Sequence, residues 1–291
     1  MGCDTIRGEE LEFPPIFDPM DRETLIQAIT GLVTADPRIE VAWLGGADAT
    51  GRVDARSDLD LMLAVESEDR EVVIEAFEEA FDRVVGIRHR HRFVEPHWSG
   101  FDQAIYLGRG LSDDLAIDLT IVPTDTPLER RLLEVDRHGE AVVLVDRRGW
   151  FDRPTRSDVD RQVAGIDRRL ARIRGLHPFF VSIVRKGIDR GRDLEALDGY
   201  RAKLLAPLCD LMRIEHDPAR FDFAFRYLDR DLPADERALL ERLAFVPDAS
   251  GLPRRVDRCQ AEIERRLERL TAARRAAVQE AVASAKPSGR R

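Results

Sequence analysis

The spacing of hydrophobic positions changes near residue 150. In the first half, Leu25 and Ile29 recur at helical spacing, whereas Leu59, Leu61 and Leu63 occupy alternate positions, as in a strand with one buried face. The second half shows helical spacing throughout. The pattern therefore predicts an α/β (α+β) fold, in which a small mixed sheet with flanking helices is followed by an all-α helical bundle.

The predicted elements divide the chain into two domains, at 1–150 and 151–285, and a tail at 286–291. In the first domain the pattern predicts helices at 21–34 and 68–85, strands at 41–44 and 59–65, a β-hairpin at 104–107 and 115–122, and a last strand at 141–145. In the second, Ser157 is predicted to cap a helix that Gly175 ends. Further helices are expected at about 178–190, 193–214, 220–229, 234–245 and 254–284.

Charge and composition weigh against several classes of protein. The chain has 46 basic and 55 acidic residues and a formal net charge of −9, which weighs against a dedicated nucleic-acid binder. Cys3, Cys209 and Cys259 lie far apart, so a disulfide framework and a structural zinc site are disfavoured. The sequence contains no apolar run long enough to span a bilayer and no signal-peptide pattern, so we expect a cytoplasmic protein.

The segment with the clearest chemistry follows the first predicted strand. That strand ends at Gly45-Gly46, and glycines let backbone N–H groups approach an anion closely. Asp58 and Asp60 stand at the start of the next strand, where a period of two projects both carboxylates from the same face. Because paired like charges repel, a bound divalent cation is the usual compensation, and Mg²⁺ prefers carboxylate and phosphate oxygens.

A third carboxylate belongs to a later predicted strand. Asp118 interrupts the otherwise nearly apolar run 115–122, where an aspartate is costly unless it is paired, hydrogen-bonded or bound to a metal. A diglycine turn, an alternating acidic pair or a lone strand aspartate is each common without function. Their order and spacing together indicate a site for two metal ions and a phosphate-bearing substrate.

This combination resembles the nucleotidyltransferase superfamily related to DNA polymerase β. The pattern of a glycine pair, a spacer and D-x-D is met by Gly45-Gly46 and by Ser57-Asp58-Leu59-Asp60, with Asp118 as the later carboxylate. The matched core covers about residues 38–123, and the helical half is more loosely similar to small bacterial aminoglycoside and lincosamide adenylyltransferases. One departure is that Gly46 stands where many members have serine.

The resemblance implies transfer of a nucleoside monophosphate from Mg-NTP, with ATP as the expected nucleotide, to a hydroxyl group, with release of pyrophosphate. Asp58, Asp60 and Asp118 would be the catalytic carboxylates and would bind two Mg²⁺ ions. Gly45, Gly46 and Ser57 would hold the β- and γ-phosphates. Lys203 is the expected triphosphate contact from the helical half, with Lys186 and Arg192 as alternatives. Asp118, or a carboxylate of the helical half, would take the proton of the acceptor hydroxyl.

Three interpretations of the function are left open, and the first two differ in the acceptor. The first is a small molecule, such as an aminoglycoside-like antibiotic, drawn by acidic side chains near the cleft. The second is a toxin-like enzyme of the same fold that acts on tRNA or protein. The third is a catalytically silent member that binds nucleotide; the presence of all three carboxylates weighs against it.

The densest basic stretch, 88–92, can be interpreted in two ways. Arg88, Arg90 and Arg92 alternate with His89 and His91. The stretch either binds phosphates or forms an edge strand that charge protects from aggregation.

Overall fold

A computed structural model describes residues 20–93, 100–270 and 274–284. Cys3 and the predicted tail at 286–291 lie outside these residues. The described chain forms two compact units, one comprising residues 20–133 and 138–154 and the other residues 134–137 and 155–284. Within these ranges, no helix is both long and apolar enough to cross a lipid bilayer.

The first unit contains a mixed sheet with flanking helices, as the hydrophobic pattern predicts. Its elements are, in chain order, α1 (Arg22–Ala35), β1 (Ile39–Leu44), α2 (Gly46–Thr50), β2 (Leu59–Val65), α3 (Arg70–Val85), β3 (Ile87–Arg92), β4 (Asp102–Gly108), β5 (Ile117–Pro123), the short α4 (Val135–His138), which begins in the second unit, and β6 (Val142–Asp146). The six strands are ordered β3-β4-β5-β2-β1-β6. All neighbours are antiparallel except β2 and β5, which pair in parallel at the centre.

The two faces of this sheet have different coverings. Helices α1 and α3 bury one face, where Leu59, Leu61 and Leu63 of β2 join the apolar core. On the opposite face a smaller cluster forms around Trp43, Ala64 and Val122. This second face becomes polar toward the amino ends of β2 and β5, so acidic side chains there face away from the main core.

Several local predictions are confirmed. The Asp21 side chain caps α1 by accepting a hydrogen bond of 2.8 Å from the Thr24 N–H. Strand β2 has its predicted bounds, and β4 and β5 pair as the predicted antiparallel hairpin.

The basic stretch at 88–92 forms the edge strand β3. Arg90 and Arg92 point to the helical face of the sheet, where both donate to Glu78 of α3. Glu78 is 5% exposed and also accepts a 3.0 Å hydrogen bond from the Tyr106 hydroxyl. Glu78 therefore ties the edge strand to α3. The predicted edge position is confirmed, and phosphate binding by this stretch stays a prediction.

The second unit is helical, as predicted. Its remaining helices are α5 (Val159–Asp189), α6 (Asp193–Tyr200), a π-helical turn (Arg201–Leu205), α7 (Ala206–His216), α8 (Leu228–Asp231), α9 (Ala234–Ala244), α10 (Leu252–Arg269) and α11 (Arg274–Ser284). They enclose one apolar core centred on α5, α7 and α10.

The prediction that Ser157 caps a helix ended by Gly175 is wrong. Asp158 is the N-cap, and α5 continues for 31 residues through both Gly175 and Pro178. A glycine costs a helix about 1 kcal/mol relative to alanine and a proline about 3 kcal/mol. The apolar face formed by Ile173, Val181 and their neighbours in the core outweighs that local preference. The predicted helix at 220–229 is also wrong, because the structure has only α8 near its end.

We predict that Glu78→Gln destabilises the first unit in a pH-dependent way. Burial raises the pKa of Glu78, but the hydrogen bonds from Arg92 and Tyr106 and the charges of Arg92 and Arg90 outweigh burial, so the pKa lies below 4.5. Ionised Glu78 therefore stabilises the folded state fully above pH 4.5. This stabilisation is lost as the pH falls through the lowered pKa of Glu78. Urea unfolding at pH 7 should show a loss of ~1–3 kcal/mol that shrinks in acid.

The matched control is Glu79→Gln. Glu79 is the neighbouring glutamate, and its ion pair with Arg83 is exposed, so its replacement should change stability by less than about 1 kcal/mol at any pH. Equal effects of the two substitutions would contradict the anchoring role of Glu78.

Candidate functional site

The glycine pair lies where β1 passes into α2. The Gly45 N–H donates a hydrogen bond of 2.9 Å to the Asp60 carbonyl of β2, so the bend lies directly beside the acidic strand. Gly46 has a φ of +51°, and a Cβ at this position would overlap Asp60 Oδ2 and lie 2.7 Å from Asp60 Cγ. Glycine at position 46 therefore suits the left-handed backbone conformation, and any side chain there would force the Asp60 carboxylate to move.

The three aspartates are brought together by the parallel pairing of β2 with β5. Asp60 and Asp118 are direct partners in this register, and paired strands lie about 4.8 Å apart. Both are half-buried on the sheet face opposite the main core. Asp58 is exposed and immediately precedes β2, two residues before Asp60. The three predicted carboxylates therefore lie near the amino ends of the two central strands.

Hydrogen bonds hold two of these carboxylates in place. Asp58 Oδ1 accepts from the Ala116 N–H at 3.2 Å, next to the start of β5. The Gln103 side-chain amide donates to both oxygens of Asp118, at 2.7 and 2.8 Å. In this arrangement the three aspartates do not offer three oxygen atoms that all lie within 4.8 Å of one another. Joint coordination of a single ion would require at least one of the side chains to rotate.

The remaining predicted contacts are placed as follows. The Ser57 hydroxyl donates to Asp54 Oδ1 and accepts from the Asp54 N–H, both at 2.9 Å, so its proton is engaged within its own loop. Lys203 belongs to the second unit, in the π-helical turn, with its Nζ 6.0 Å from the centre of the Phe180 ring. The phosphate-binding roles of Ser57 and Lys203 stay predictions.

Two residues at this site were not found by sequence reasoning. Gln103 lies on β4, beside Asp118 on the same sheet face, and its role depends on strand pairing that a local pattern does not reveal. Arg22, in the first turn of α1, donates to Asp48 of α2 and to the loop that carries Asp58. An arginine at a helix start gives no sequence signal of such a distant contact.

A different cluster satisfies the distance criterion for one metal ion. In the second unit, one ligand atom from each of Glu215, His216 and Glu236 lies within 4.8 Å of the other two. However, the fully buried Arg266 pairs with both glutamates, and Arg269 donates to Glu215 at 2.8 Å. Because these guanidinium groups already neutralise the carboxylates, we interpret the cluster as an ion-pair network that holds α7, α9 and α10 together.

The first-unit site fits magnesium by its donor chemistry. Its three candidate ligands are carboxylates, the oxygen donors that Mg²⁺ prefers, and the absence of a side chain at Gly46 leaves room for the Asp60 carboxylate beside the glycine bend. Asp58, Asp60 and Asp118 are the residues that would hold the ions.

Comparison with known proteins does not assign the chain. No protein-family model matches it, and a search of curated proteins also gave no match.

We predict that Gly46→Ala is more destabilising than Gly51→Ala. Both glycines have positive φ, +51° and +64°, so each substitution incurs a backbone cost of ~1–2 kcal/mol. A Cβ at Gly51 would meet no atom within 4 Å, whereas one at Gly46 would overlap the Asp60 carboxylate. Chemical denaturation should therefore show an additional loss for Gly46→Ala. Equal losses would show that Asp60 does not press against the bend.

Proposed function

We propose that this protein is a metal-dependent nucleotidyltransferase. In the reaction, a nucleoside monophosphate moves from Mg-NTP, with ATP as the expected nucleotide, to a hydroxyl group of a small molecule, and pyrophosphate is released. The observation that carries the proposal is the register of β2 with β5, in which Asp60 pairs with Asp118 while the glycine bend is hydrogen-bonded to Asp60.

The carboxylates have distinct roles in this proposal. Asp58, Asp60 and Asp118 would together hold two Mg²⁺ ions. When bound, two such metal ions would stabilise the attacking and leaving oxygens of an in-line displacement and lower the pKa of the attacking hydroxyl. Gln103 orients Asp118, because its amide donates to both carboxylate oxygens.

The backbone of Gly45 and Gly46 is the proposed contact of the β- and γ-phosphates. The positions that side chains would take there are filled by Met62 and by the Asp60 carboxylate, so the Asp60 side chain must turn aside before a phosphate reaches this backbone. Ser57 is the further proposed phosphate contact in the first unit. For Ser57 to donate to a phosphate, its hydroxyl proton must leave Asp54.

The proposed acceptor is a small molecule, with aminoglycoside-like compounds as the first class to test. The formal charge of −9 is suited to a cationic substrate and opposes binding of nucleic acid. The buried free thiols Cys209 and Cys259 are compatible with a reducing compartment, and we place the enzyme in the cytoplasm.

The test is nucleotide transfer by wild type and by Asp60→Asn. The purified protein is incubated with Mg²⁺, α-labelled NTPs and a panel of aminoglycosides, lincosamides and bulk tRNA, and pyrophosphate release is followed. Asp60→Asn removes one metal-binding charge without changing side-chain size, so we expect a loss of transfer of about a hundredfold or more. Because the substitution also removes repulsion between Asp60 and its acidic neighbours, the melting temperature should be no lower than that of wild type.

The matched control is Asp125→Asn. Asp125 is exposed and lies beyond the opposite end of β5 from Asp118, so transfer should be unaffected. Full activity of Asp60→Asn would refute the metal assignment. Labelled tRNA without a labelled drug would replace the small-molecule acceptor with RNA while keeping the reaction class.

A further inference from the structure

The loop between α2 and β2 carries Asp58 and has few anchors of its own. Residues 51–56 are all exposed, and the turn is organised internally by Asp54, whose carboxylate accepts from the Arg56 N–H and the Ser57 hydroxyl. Contacts inside a turn fix its shape but leave its position relative to the sheet undetermined. From outside the loop, Ala116 holds the end at Asp58, because its N–H donates to the Asp58 carboxylate and its carbonyl accepts from the Leu59 N–H. A further contact is needed to fix this end relative to α2.

Arg22 makes contacts at both ends of this loop. Its Nη1 donates to the Ser57 carbonyl at 2.6 Å, and its Nη2 donates to the Asp58 carbonyl at 2.9 Å. The same Nη2 forms an ion pair of 2.6 Å with Asp48 of α2, the helix that follows the glycine bend. One guanidinium group therefore joins the glycine-bend helix to the residues that begin the D-x-D strand.

The support beneath Arg22 is rigid. Arg22 is the first residue of α1, whose N-cap is closed by Asp21 and whose Leu25 and Ile29 are fully buried in the core. The side chains of Arg22 and Asp48 are only 19% and 8% exposed. A planar guanidinium presents several donors in a fixed fork, which a lysine ammonium does not reproduce. The hydrogen bonds of Arg22 thus hold the exposed loop at a fixed position relative to α1.

We propose that Arg22 is a positioning residue: by clamping α2 and the backbone of residues 57 and 58, it fixes the Asp58 carboxylate relative to Asp60. The proposal rests on the proposed function in one respect, that Asp58 is a metal ligand. Its structural part, the clamping of the loop, stands independently of any metal.

The first experiment measures amide hydrogen exchange in the metal-free protein. Arg22→Ala should accelerate exchange about tenfold or more at residues 54–59, where the protected amides of Ser57 and Leu59 lie, while β1 and α3 stay unchanged. Arg38→Ala is the matched control, since Arg38 follows the same helix and pairs with Asp36 at 2.6 Å, away from the loop. It should leave exchange at 54–59 unchanged.

The second experiment measures Mn²⁺ affinity by electron paramagnetic resonance. Removing an outer-shell partner typically weakens metal binding 10–100-fold, so Arg22→Ala should bind Mn²⁺ about tenfold more weakly than wild type and Arg38→Ala. Arg22→Lys retains the charge but not the fork, and we expect an intermediate value. If Arg22→Ala does not fold, Arg22→Lys alone carries both measurements.

The outcomes separate this inference from the proposed function. Wild-type exchange at 54–59 in Arg22→Ala, or acceleration spread evenly over the first unit, would overturn the clamping role. Local acceleration with unchanged Mn²⁺ affinity would overturn the role of Arg22 toward the metal. Absence of Mn²⁺ binding in wild type would refute the proposed function, and the exchange experiment would then decide the clamping role by itself.

Discussion

The parallel pairing of β2 with β5 is the constraint on which the candidate site depends. Its register is set by burial, because Leu59 and Leu61 of β2 and Ile117 and Leu119 of β5 all face the core beneath α1 and α3. A slip of one residue would send these side chains to the opposite face. The same register that buries the leucines therefore places Asp60 beside Asp118 on the other face.

This arrangement has an electrostatic cost that the surrounding residues reduce. Like charges on neighbouring strands repel, and partial burial increases the repulsion. The structure supplies donors in compensation: the Gln103 amide at Asp118 and the Ala116 N–H at Asp58. Arg22 also donates to the backbone of the loop that carries Asp58, while its charge is paired with Asp48. Residues from separate parts of the chain thus donate hydrogen bonds to these carboxylates.

The sequence predicts those parts of the fold and site that depend on local pattern. Alternation in β2 indicates both the strand and the face of Asp60, and Asp21 indicates the start of α1. The path of α5 through Gly175 and Pro178 is not predictable in this way, because long-range packing overrides local helix preference. Gln103 and Arg22 escape prediction for a related reason, since their partners are distant in sequence and are brought near only by strand order and helix packing.

The most direct test of the central claim is a crystal structure of the protein with Mn²⁺ and a non-hydrolysable NTP analogue, with the ions located by anomalous scattering. The account predicts two Mn²⁺ peaks about 3.5–4 Å apart among Asp58, Asp60 and Asp118, with the triphosphate against the glycine bend. Manganese bound only at Glu215, His216 and Glu236, or no ordered ion beside Asp60, would contradict it.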